Sequence, residues 1–302
     1  MEKAAVIYNP AAGQNKLAQS IGTIMGKLLG NFREVSIYRT EKAGDGASYT
    51  ERVAEEVDLL IAAGGDGTVN EVINALCPLE NRPAFAIIPG GTSNDFSRAI
   101  GMAQDPVKAT DQLVEKHIKS IDVGKTDERY FLNFWGIGLI TQISETVDSE
   151  SKGIFGRFSY YIRTMQNLSQ VESFHLQVRS EDFEFDGEAD MLIVGNGTFT
   201  GGIQAFFPKG NIQDGLLDVL LIKDMPLHPL LSVFQAKMDE EFLENEEGLV
   251  YFQTDKLQVT ATPKQTVDCD GERSHSTPSE ISILPNHLNM LVGDIQNQLP
   301  LR

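Results

Sequence analysis

The stretch that decides the fold is residues 59–76, which read LLIAAGGDGTVNEVINAL. The apolar run at residues 59–63 is typical of a buried strand, and residues 68–76 have the apolar spacing of a helix. Between the two stand three glycines around one acid, Asp66. Glycines let the backbone come close to an anion, and free N–H groups at a helix start point at it. A carboxylate beside a phosphate repels it unless a divalent cation lies between them, so the stretch predicts a nucleotide phosphate together with Mg²⁺.

Strands and helices alternate over the first part of the chain. Short apolar runs at residues 4–8, 35–38, 59–63 and 85–88 predict four strands, with helices between them at residues 17–29, 44–57 and 68–76. This order predicts an α/β domain with a Rossmann-like, mostly parallel sheet and helices on both faces. Ligands gather at the carboxyl ends of the strands in such sheets. The polar, glycine-bearing turns at residues 9–13, 64–68 and 89–95 should therefore meet at one edge.

The second half of the chain has a different texture. From residue 121 onwards short alternating runs are separated by turn dipeptides, among them Asp186-Gly187, Asp214-Gly215 and Asp270-Gly271. They predict a mainly-β domain, a β-sandwich, with helices at residues 154–168 and 230–243. We place the α/β domain at residues 1–122, to which the closing segment 287–302 can add, and the β-rich domain at 123–286. Since no flexible linker joins them, we expect the active site in a cleft between the domains.

Composition narrows the class of protein. A formal net charge of -18 argues against general nucleic-acid binding and against attachment to anionic membrane by charge alone. The two cysteines are far apart and lack metal-type spacing, which indicates a reducing, cytoplasmic compartment. No apolar run approaches the roughly 20 residues of a membrane span, and no signal peptide is visible. We expect a cytoplasmic protein whose membrane contact is transient and peripheral.

Several polar residues at the predicted turns have two readings. Asn9 can bind phosphate or hold its own loop, and Thr92 can donate to a phosphate or to a base. Asp95 either supplies a second carboxylate for Mg²⁺, beside Asp66, or only caps its helix. In the second half, the turn at residues 211–218 is a hairpin turn or a hard-cation site. The acidic turn at residues 268–272 is solvated surface unless Glu272 faces the cleft.

The turns form an ordered set that covers nearly the whole chain. Its members are Asn9-Pro10-x-x-Gly13, Gly64-Gly65-Asp66-Gly67-Thr68-x-Asn70-Glu71, Pro89-Gly90-Gly91-Thr92-x-Asn94-Asp95, Ile121-Asp122-x-Gly124, Asp214-Gly215-x-Leu217-Asp218 and Asp270-Gly271-Glu272. Together they resemble the diacylglycerol kinase catalytic-domain family, which includes soluble bacterial lipid kinases and the sphingosine kinases. The Gly-Gly-Asp-Gly-Thr motif alone is shared with NAD kinases and phosphofructokinases, so the specificity lies in the full set.

The resemblance implies roles for the matching residues. Asp66, Asp95 and Asp122 would organise Mg²⁺ against the phosphates, and Glu272 would be the general base. Asn211, Asp214 and Leu216 would form a structural Mg²⁺ site, the first and last through main-chain oxygens. The residues that would hold ATP are Asn9, Pro10, Ala11, Ala12, Gly13, Thr40, Gly64, Gly65, Asp66, Gly67, Thr68, Val69, Asn70, Glu71, Gly91 and Thr92.

The resemblance also implies an activity. It is ATP- and Mg²⁺-dependent transfer of the γ-phosphate to a lipid hydroxyl, with diacylglycerol as the first candidate and phosphatidic acid as the product. The lipid would be met at the membrane surface, and we expect an apolar strip for it at residues 134–139 and 154–161. Two alternatives stay open: a kinase of a soluble alcohol such as NAD, and a nucleotide-binding regulator without catalysis. The oligomeric state is open as well, a homodimer included.

Overall fold

The computed structural model describes residues 1–127, 129–141, 172–197, 199, 206–223, 248–273 and 275–294. The chain divides into two compact units, an N-terminal unit of Met1–Ile121 with Asn286–Arg302 and a C-terminal unit of Asp122–Pro285. The helices expected at residues 154–168 and 230–243 lie outside the described residues, as does the part of the expected lipid strip at residues 154–161.

The described strands and helices are as follows. The strands are β1 (Lys3–Tyr8), β2 (Glu34–Arg39), β3 (Leu59–Gly64), β4 (Ala84–Pro89), β5 (Ile118–Thr126), β6 (Tyr130–Phe131), β7 (Phe134–Gly138), β8 (Phe174–Arg179), β9 (Glu184–Gly195), β10 (Leu217–Lys223), β11 (Leu249–Thr254), β12 (Lys256–Thr262), β13 (Asp268–Cys269) and β14 (Ser279–Leu291). The helices are α1 (Lys16–Leu29), α2 (Asp45–Val53), α3 (Asp66–Leu76), α4 (Asp95–Ala99) and α5 (Pro106–Val114), with 3-10 turns at Ala12–Asn15 and Ala54–Glu56.

A parallel sheet forms the centre of the N-terminal unit. Its strands lie in the order β4-β3-β1-β2, and all of the pairings are parallel. The closing segment of the chain adds to this unit, because Met290 near the end of β14 pairs in parallel with Phe85 of β4. Helix α1 packs against α5, and α2 packs against α3. The prediction of a parallel sheet covered by helices is therefore confirmed.

The burial of β3 explains why its sequence is a continuous apolar run. All six of its residues are buried, because a central parallel strand is covered on both faces. All six residues of edge strand β2 are partly buried or exposed instead. The strand bounds agree with the sequence prediction to within a residue or two. They place the three predicted glycine turns directly after β1, β3 and β4.

The described part of the C-terminal unit consists of antiparallel strands. From β11 the order runs β10, β9, β8, β12 and on to β14, while β7 pairs with both β9 and β13. Trp135, Phe131 and Phe174 are the largest side chains of its core. The prediction of a β-rich second half is confirmed. Residues 134–139, which we expected to offer lipid an apolar strip, are buried in this core.

One predicted turn is wrong. Asp186-Gly187 lies inside β9, where the two residues pair with Gln177 and Leu176 of β8. The hairpin reverses four residues earlier, where the Ser180 N–H donates to the Phe183 carbonyl at 2.8 Å. Gly187 serves close packing instead, because a Cβ at this position would stand 3.2 Å from the Phe185 ring. The cross-strand pairing has overridden the local turn preference.

Both cysteines are free, buried thiols. Burial raises the pKa of Cys77 to about 12. Burial also raises the pKa of Cys269 well above its ordinary value, and the nearby charge of Asp270 acts in the same direction. Since the thiolate is the reactive form, neither cysteine is a candidate nucleophile. Within the described ranges, no helix has both the length and the apolar character needed to cross a bilayer.

Two isoleucines give a matched test of the sheet. Ile61 of β3 and Ile37 of β2 both pair with Val6 of β1, but Ile61 is fully buried and Ile37 is 43% exposed. We expect Ile61→Ala to lower the free energy of unfolding by about 2–5 kcal/mol through lost burial and a cavity. We expect Ile37→Ala to change it by about 0.5 kcal/mol or less. Urea denaturation followed by circular dichroism measures both, and equal losses would contradict the sheet order.

Candidate nucleotide and cation sites

The turn after β1 is tied to the start of α3 by one side chain. Asn9 donates from Nδ2 to Thr68 Oγ1 at 3.0 Å, and its Oδ1 accepts the N–H of Ala11, also at 3.0 Å. Its backbone N–H donates to the Ala63 carbonyl of β3 at 2.9 Å. Of the two roles open for Asn9, the geometry favours holding the loop, because both ends of its amide are already engaged within the protein.

Glycines let the three turns touch one another. Gly13 has φ +58°, and a Cβ there would lie 1.9 Å from the Gly90 carbonyl oxygen. A Cβ on Gly91 would lie 2.7 Å from the Cα of Gly65. The turns after β1, β3 and β4 therefore converge on one edge of the sheet, as the sequence indicated, and at these contacts only glycine fits.

Asp66 joins the turns after β3 and β4 through both of its carboxylate oxygens. Oδ2 accepts the Asn94 N–H at 3.0 Å, and Oδ1 accepts the Asp95 N–H at 2.8 Å. Each oxygen keeps a further lone pair with which it can face a cation. The predicted proximity of Asp66 and Asp95 is thus observed, although Asp66 also has a structural task that its sequence does not reveal.

Asn94 shapes the turn after β4, and sequence analysis gave it no role of its own. It has φ 50° in the left-handed region, which asparagine tolerates better than most residues. Its Oδ1 accepts the Gly91 N–H at 2.8 Å, and its Nδ2 donates to the Gly91 carbonyl at 3.0 Å. The signal that could have identified it is its place in Gly-Gly-x-x-Asn, where a turn-forming side chain follows two flexible residues.

The first turn of α3 offers donors to an anion. Val69 is the first residue of this helix whose N–H bonds within the turn, to the Gly65 carbonyl at 3.1 Å. The N–H groups of Asp66, Gly67 and Thr68 find no acceptor among the described residues. Thr92, half-buried in the neighbouring turn, likewise makes no hydrogen bond with a described residue. Free amides beside a hydroxyl suit phosphate oxygens.

Two residues of the predicted nucleotide set have structural partners. Glu71 accepts the Gly44 and Gly46 N–H groups, one on each carboxylate oxygen and both at 3.0 Å, and so caps α2. Thr40 is buried after β2, and its N–H donates to the Tyr8 carbonyl at 2.9 Å. Contacts between these residues and a nucleotide stay predictions.

In the C-terminal unit, a turn at residues 211–216 meets Asp122. The Gly215 N–H donates to Asp122 Oδ2 at 2.7 Å, and Asp122 is fully buried. Burial raises the pKa of Asp214, and the negative charge of Asp122 raises it further. Burial also raises the pKa of Asp218 to about 6, although Tyr251 donates a hydrogen bond to it. The turn therefore brings the carboxylates of Asp122, Asp214 and Asp218 into one partly buried region.

This donor set fits a hard cation. Asp214 supplies a carboxylate, and the neighbouring main-chain carbonyls supply further oxygens of the kind that Mg²⁺ prefers. Within the described residues there is no cluster of three or more His, Cys, Asp or Glu side chains that could hold a metal ion. A cation at this turn would therefore depend on main-chain oxygens, as expected for Asn211 and Leu216.

Glu272 stands on a tight turn of the C-terminal unit. Cys269 and Glu272 exchange two backbone hydrogen bonds of 2.9 and 3.0 Å, and Asp270 and Gly271 between them have φ 51° and 87°. The Glu272 side chain is exposed and makes no hydrogen bond with a described residue. The predicted base is thus accessible, and its role in proton transfer stays a prediction.

Two family models match the chain. Residues 3–126 match the model described as the diacylglycerol kinase catalytic domain. Residues 136–292 match the model described as the YegS C-terminal NAD kinase beta sandwich-like domain. The second description agrees with the antiparallel strands of the C-terminal unit and confirms the predicted sandwich.

Similar proteins extend over almost the whole chain. A diacylglycerol kinase of Bacillus subtilis (strain 168) is 31% identical over 294 residues, which is 97% of each protein. The crystal structure of a diacylglycerol kinase from Bacillus anthracis (strain Sterne) superimposes with a TM-score of 0.82 at 34% identity, again over 97% of each chain. A further solved structure from that organism reaches a TM-score of 0.88 at 36% identity and covers 97% of this chain and 96% of the other.

Two glycine substitutions test the packing of the loops. In Gly13→Ala, the left-handed backbone costs about 1–2 kcal/mol, and the new Cβ meets the Gly90 carbonyl, so we expect a lower melting temperature. Gly67 has open space around its Cβ position and lies in the first turn of α3. We expect Gly67→Ala to leave the stability of the protein unchanged or to raise it by about 0.5–1 kcal/mol, because alanine loses less backbone entropy than glycine when the chain folds. Calorimetry on both variants measures the difference, and a Gly13→Ala protein as stable as wild type would contradict the contact.

Proposed function

Because the chain belongs to the diacylglycerol kinase family, we propose that it transfers the γ-phosphate of ATP to the hydroxyl group of diacylglycerol, yielding phosphatidic acid and ADP. The observation that carries the proposal is the convergence of three turns around the free amides of Asp66, Gly67 and Thr68. A nucleotide phosphate is the ligand that this edge of the sheet suits best, and the names of the similar proteins favour a lipid acceptor.

In this proposal the N-terminal unit binds the nucleotide with a preorganised backbone. Asn9, Asp66 and Asn94 already bond the turns to one another, so the amides need not reorganise when charge develops on the phosphate. Thr92 donates its free hydroxyl to a phosphate oxygen or to the base. Phosphoryl transfer asks a protein mainly for positioning and charge neutralisation, and rigid turns supply the first of these.

Glu272 acts as the general base in the proposed reaction. Its carboxylate takes the proton of the lipid hydroxyl, and the hydroxyl oxygen forms a bond to the γ-phosphorus. The bond from that phosphorus to the bridging oxygen breaks, and ADP leaves with the electron pair. An alcohol is a poor nucleophile near neutral pH, so a positioned carboxylate that takes its proton speeds the reaction. The Glu272 side chain is exposed and makes no hydrogen bond with a described residue, which leaves it accessible to the substrate.

Magnesium has two proposed places. Asp66 and Asp95 would hold the ion that accompanies the nucleotide, and Asp214 with the carbonyls of Asn211 and Leu216 would hold a structural ion. Bound Mg²⁺ would neutralise charge that builds on the phosphate oxygens. The resemblance places Asp122 with Asp66 and Asp95 at the nucleotide's ion. Because its carboxylate accepts the Gly215 N–H of the turn at residues 211–216, we propose that it supports the structural ion.

The acceptor is the part of the proposal that competes with alternatives. The description of the matched C-terminal domain names NAD kinase, so a soluble alcohol is the second candidate, and a regulator without catalysis is the third. Labelled ATP with diacylglycerol in detergent micelles, or with NAD, separates them. Label in the lipid fraction supports the proposal, label in NADP supports the second candidate, and ATP binding without transfer supports the third.

A cytoplasmic protein that visits the membrane surface fits the proposed reaction, and the charge of the chain limits how it does so. Of the 43 acidic and 25 basic residues, 27 acidic and 12 basic ones lie within residues 122–285, which leaves the C-terminal unit with a net charge of -15. Anionic lipid repels such a unit, and the repulsion falls with salt. The anionic product would be repelled in the same way, whereas the neutral substrate would not.

Replacing the proposed base separates chemistry from binding. Glu272→Gln keeps the size of the side chain but cannot accept the proton, so we expect kcat to fall about 10²–10⁴-fold. The Kd for ATP should stay at the wild-type value. Glu181→Gln, an exposed carboxylate on the β8–β9 turn, is the control and should retain full activity. A Glu272→Gln enzyme that turns over diacylglycerol at the wild-type rate would remove Glu272 from the reaction.

The structural ion is tested without an activity assay. At about 100 times its Kd, Mg²⁺ stabilises a protein that binds it only in the folded state by about 2.7 kcal/mol, which thermal denaturation detects. We expect Asp214→Asn to lose most of this gain and Asp186→Asn, an exposed carboxylate on β9, to keep it. Equal Mg²⁺ responses in the two variants would contradict the assignment.

A further inference from the structure

Asp270, two residues before Glu272, has a carboxylate that the proposed reaction does not use. Its oxygens accept three consecutive backbone N–H groups, from Leu132 at 2.7 Å, Asn133 at 3.0 Å and Phe134 at 2.9 Å. The Asp270 N–H donates to the Phe134 carbonyl at 3.0 Å. Hydrogen bonds from amides to a charged carboxylate are stronger than hydrogen bonds between neutral groups. Three such bonds therefore hold the Asp270 side chain firmly. We call the segment Leu132, Asn133 and Phe134 the amide seat.

The amide seat is anchored in turn by Asn196. Nδ2 of Asn196 donates to the carbonyls of Leu132 at 2.9 Å and Asp122 at 3.0 Å. The Asn196 N–H donates to the Asn133 carbonyl at 2.9 Å. Asn196 is fully buried, so these bonds are shielded from water and fix the seat to β5 and to the end of β9.

The turn that follows Asp270 is closed from several sides. The Gly271 N–H donates to Asp268 Oδ1 at 2.8 Å, and Cys269 and Glu272 exchange their two backbone bonds. The left-handed conformation of Asp270 is one that aspartate tolerates. Beyond this turn Glu272 has no hydrogen bond with a described residue, so within the described part of the chain the backbone of the turn is what fixes the direction in which its side chain leaves the main chain.

We propose that Asp270 is the positioning residue for Glu272: its carboxylate, locked in the amide seat, fixes the turn that aims the base at the acceptor hydroxyl. This inference rests on the proposed function. Asp270 itself touches neither substrate and acts only through Glu272. Misplacement of a reacting group by about 1 Å can cost about 10²-fold in rate, which sets the expected size of the effect.

Asp270→Asn isolates the seat from the backbone conformation. Asparagine tolerates the left-handed region as well as aspartate does. However, its NH₂ group must face one of the seat N–H groups, because those groups bond to both carboxylate oxygens. One N–H donor then faces another, so the side chain at position 270 no longer holds the turn at residues 269–272 in place. We expect kcat to fall about 10²-fold, with KM for ATP and for diacylglycerol within about twofold of wild type.

The control is Asp58→Ala. Asp58 Oδ2 also accepts two backbone N–H groups, from Glu2 at 2.6 Å and Lys3 at 3.0 Å, but it lies at the opposite end of the parallel sheet from the glycine turns. Because both bonds go to one oxygen, which an asparagine carbonyl could replace, alanine is the substitution that removes them. We expect their loss to leave kcat unchanged. If kcat falls equally in the two variants, general destabilisation explains the loss and the proposal is wrong.

A double-mutant cycle completes the test. If Asp270 acts only through Glu272, Asp270→Asn should add nothing to the rate loss of Glu272→Gln, whereas an independent role would multiply it. If Asp270→Asn lowers kcat in the Glu272→Gln background by the same factor as in the wild-type enzyme, the proposal is wrong. So does wild-type kcat in Asp270→Asn when Glu272→Gln is inactive, a result that leaves the proposed function intact. Wild-type activity of Glu272→Gln would instead overturn the proposed base, and the positioning role with it.

Gly271→Ala is a second variant, for the case that Asp270→Asn does not fold. It keeps the seat and has open space at its Cβ position, yet its φ of 87° is strained for alanine. We expect a loss of kcat at constant KM here too. A Gly271→Ala enzyme with wild-type kcat would mean that the geometry of the turn does not govern Glu272.

Discussion

The N-terminal unit depends on one carboxylate that bridges two turns. Asp66 accepts the amides of Asn94 and Asp95, and these two bonds hold the turn after β4 against the start of α3. The glycines at positions 13, 65 and 91 make this arrangement possible, because they have no Cβ and so let the turns approach one another closely. The free amides of α3 are therefore presented to an anion by a backbone that is already in place.

The C-terminal unit also contains a carboxylate that accepts several backbone amides of another segment. Asp270 accepts three amides of the segment that leads into β7, just as Asp66 accepts two where the chain enters α4. In both cases a carboxylate binds main-chain donors of another segment, and Asp66 keeps lone pairs for a cation as well. Next to each carboxylate stand groups that have no hydrogen-bond partner among the described residues: the amides of Gly67 and Thr68 in one region, and the Glu272 side chain in the other.

Much of the fold could be predicted, because it follows from the local pattern of apolar residues and glycines along the sequence. Continuous apolar runs marked β1, β3 and β4, and glycine turns after them marked the edge where ligands gather. The failures concern tertiary contacts. Asp186-Gly187 has the composition of a turn but is held in β9 by its partners on β8. Residues 134–139 are apolar enough for a lipid surface, yet they are buried in the core of the C-terminal unit. The hydrogen-bonding roles of Asn94, Glu71 and Asp270 depend on partners 3 to 138 positions away in the chain, which periodicity does not reveal.

In the proposed function the first turn of α3 holds the phosphates of ATP. Amide NMR of the ¹⁵N-labelled protein tests it most directly, because the N–H groups themselves are the proposed ligands. On addition of ATP with Mg²⁺, we expect the largest shifts at Gly67 and Thr68, with the amides of α5 unchanged. Saturable ATP binding that leaves the Gly67 and Thr68 resonances where they were would contradict it.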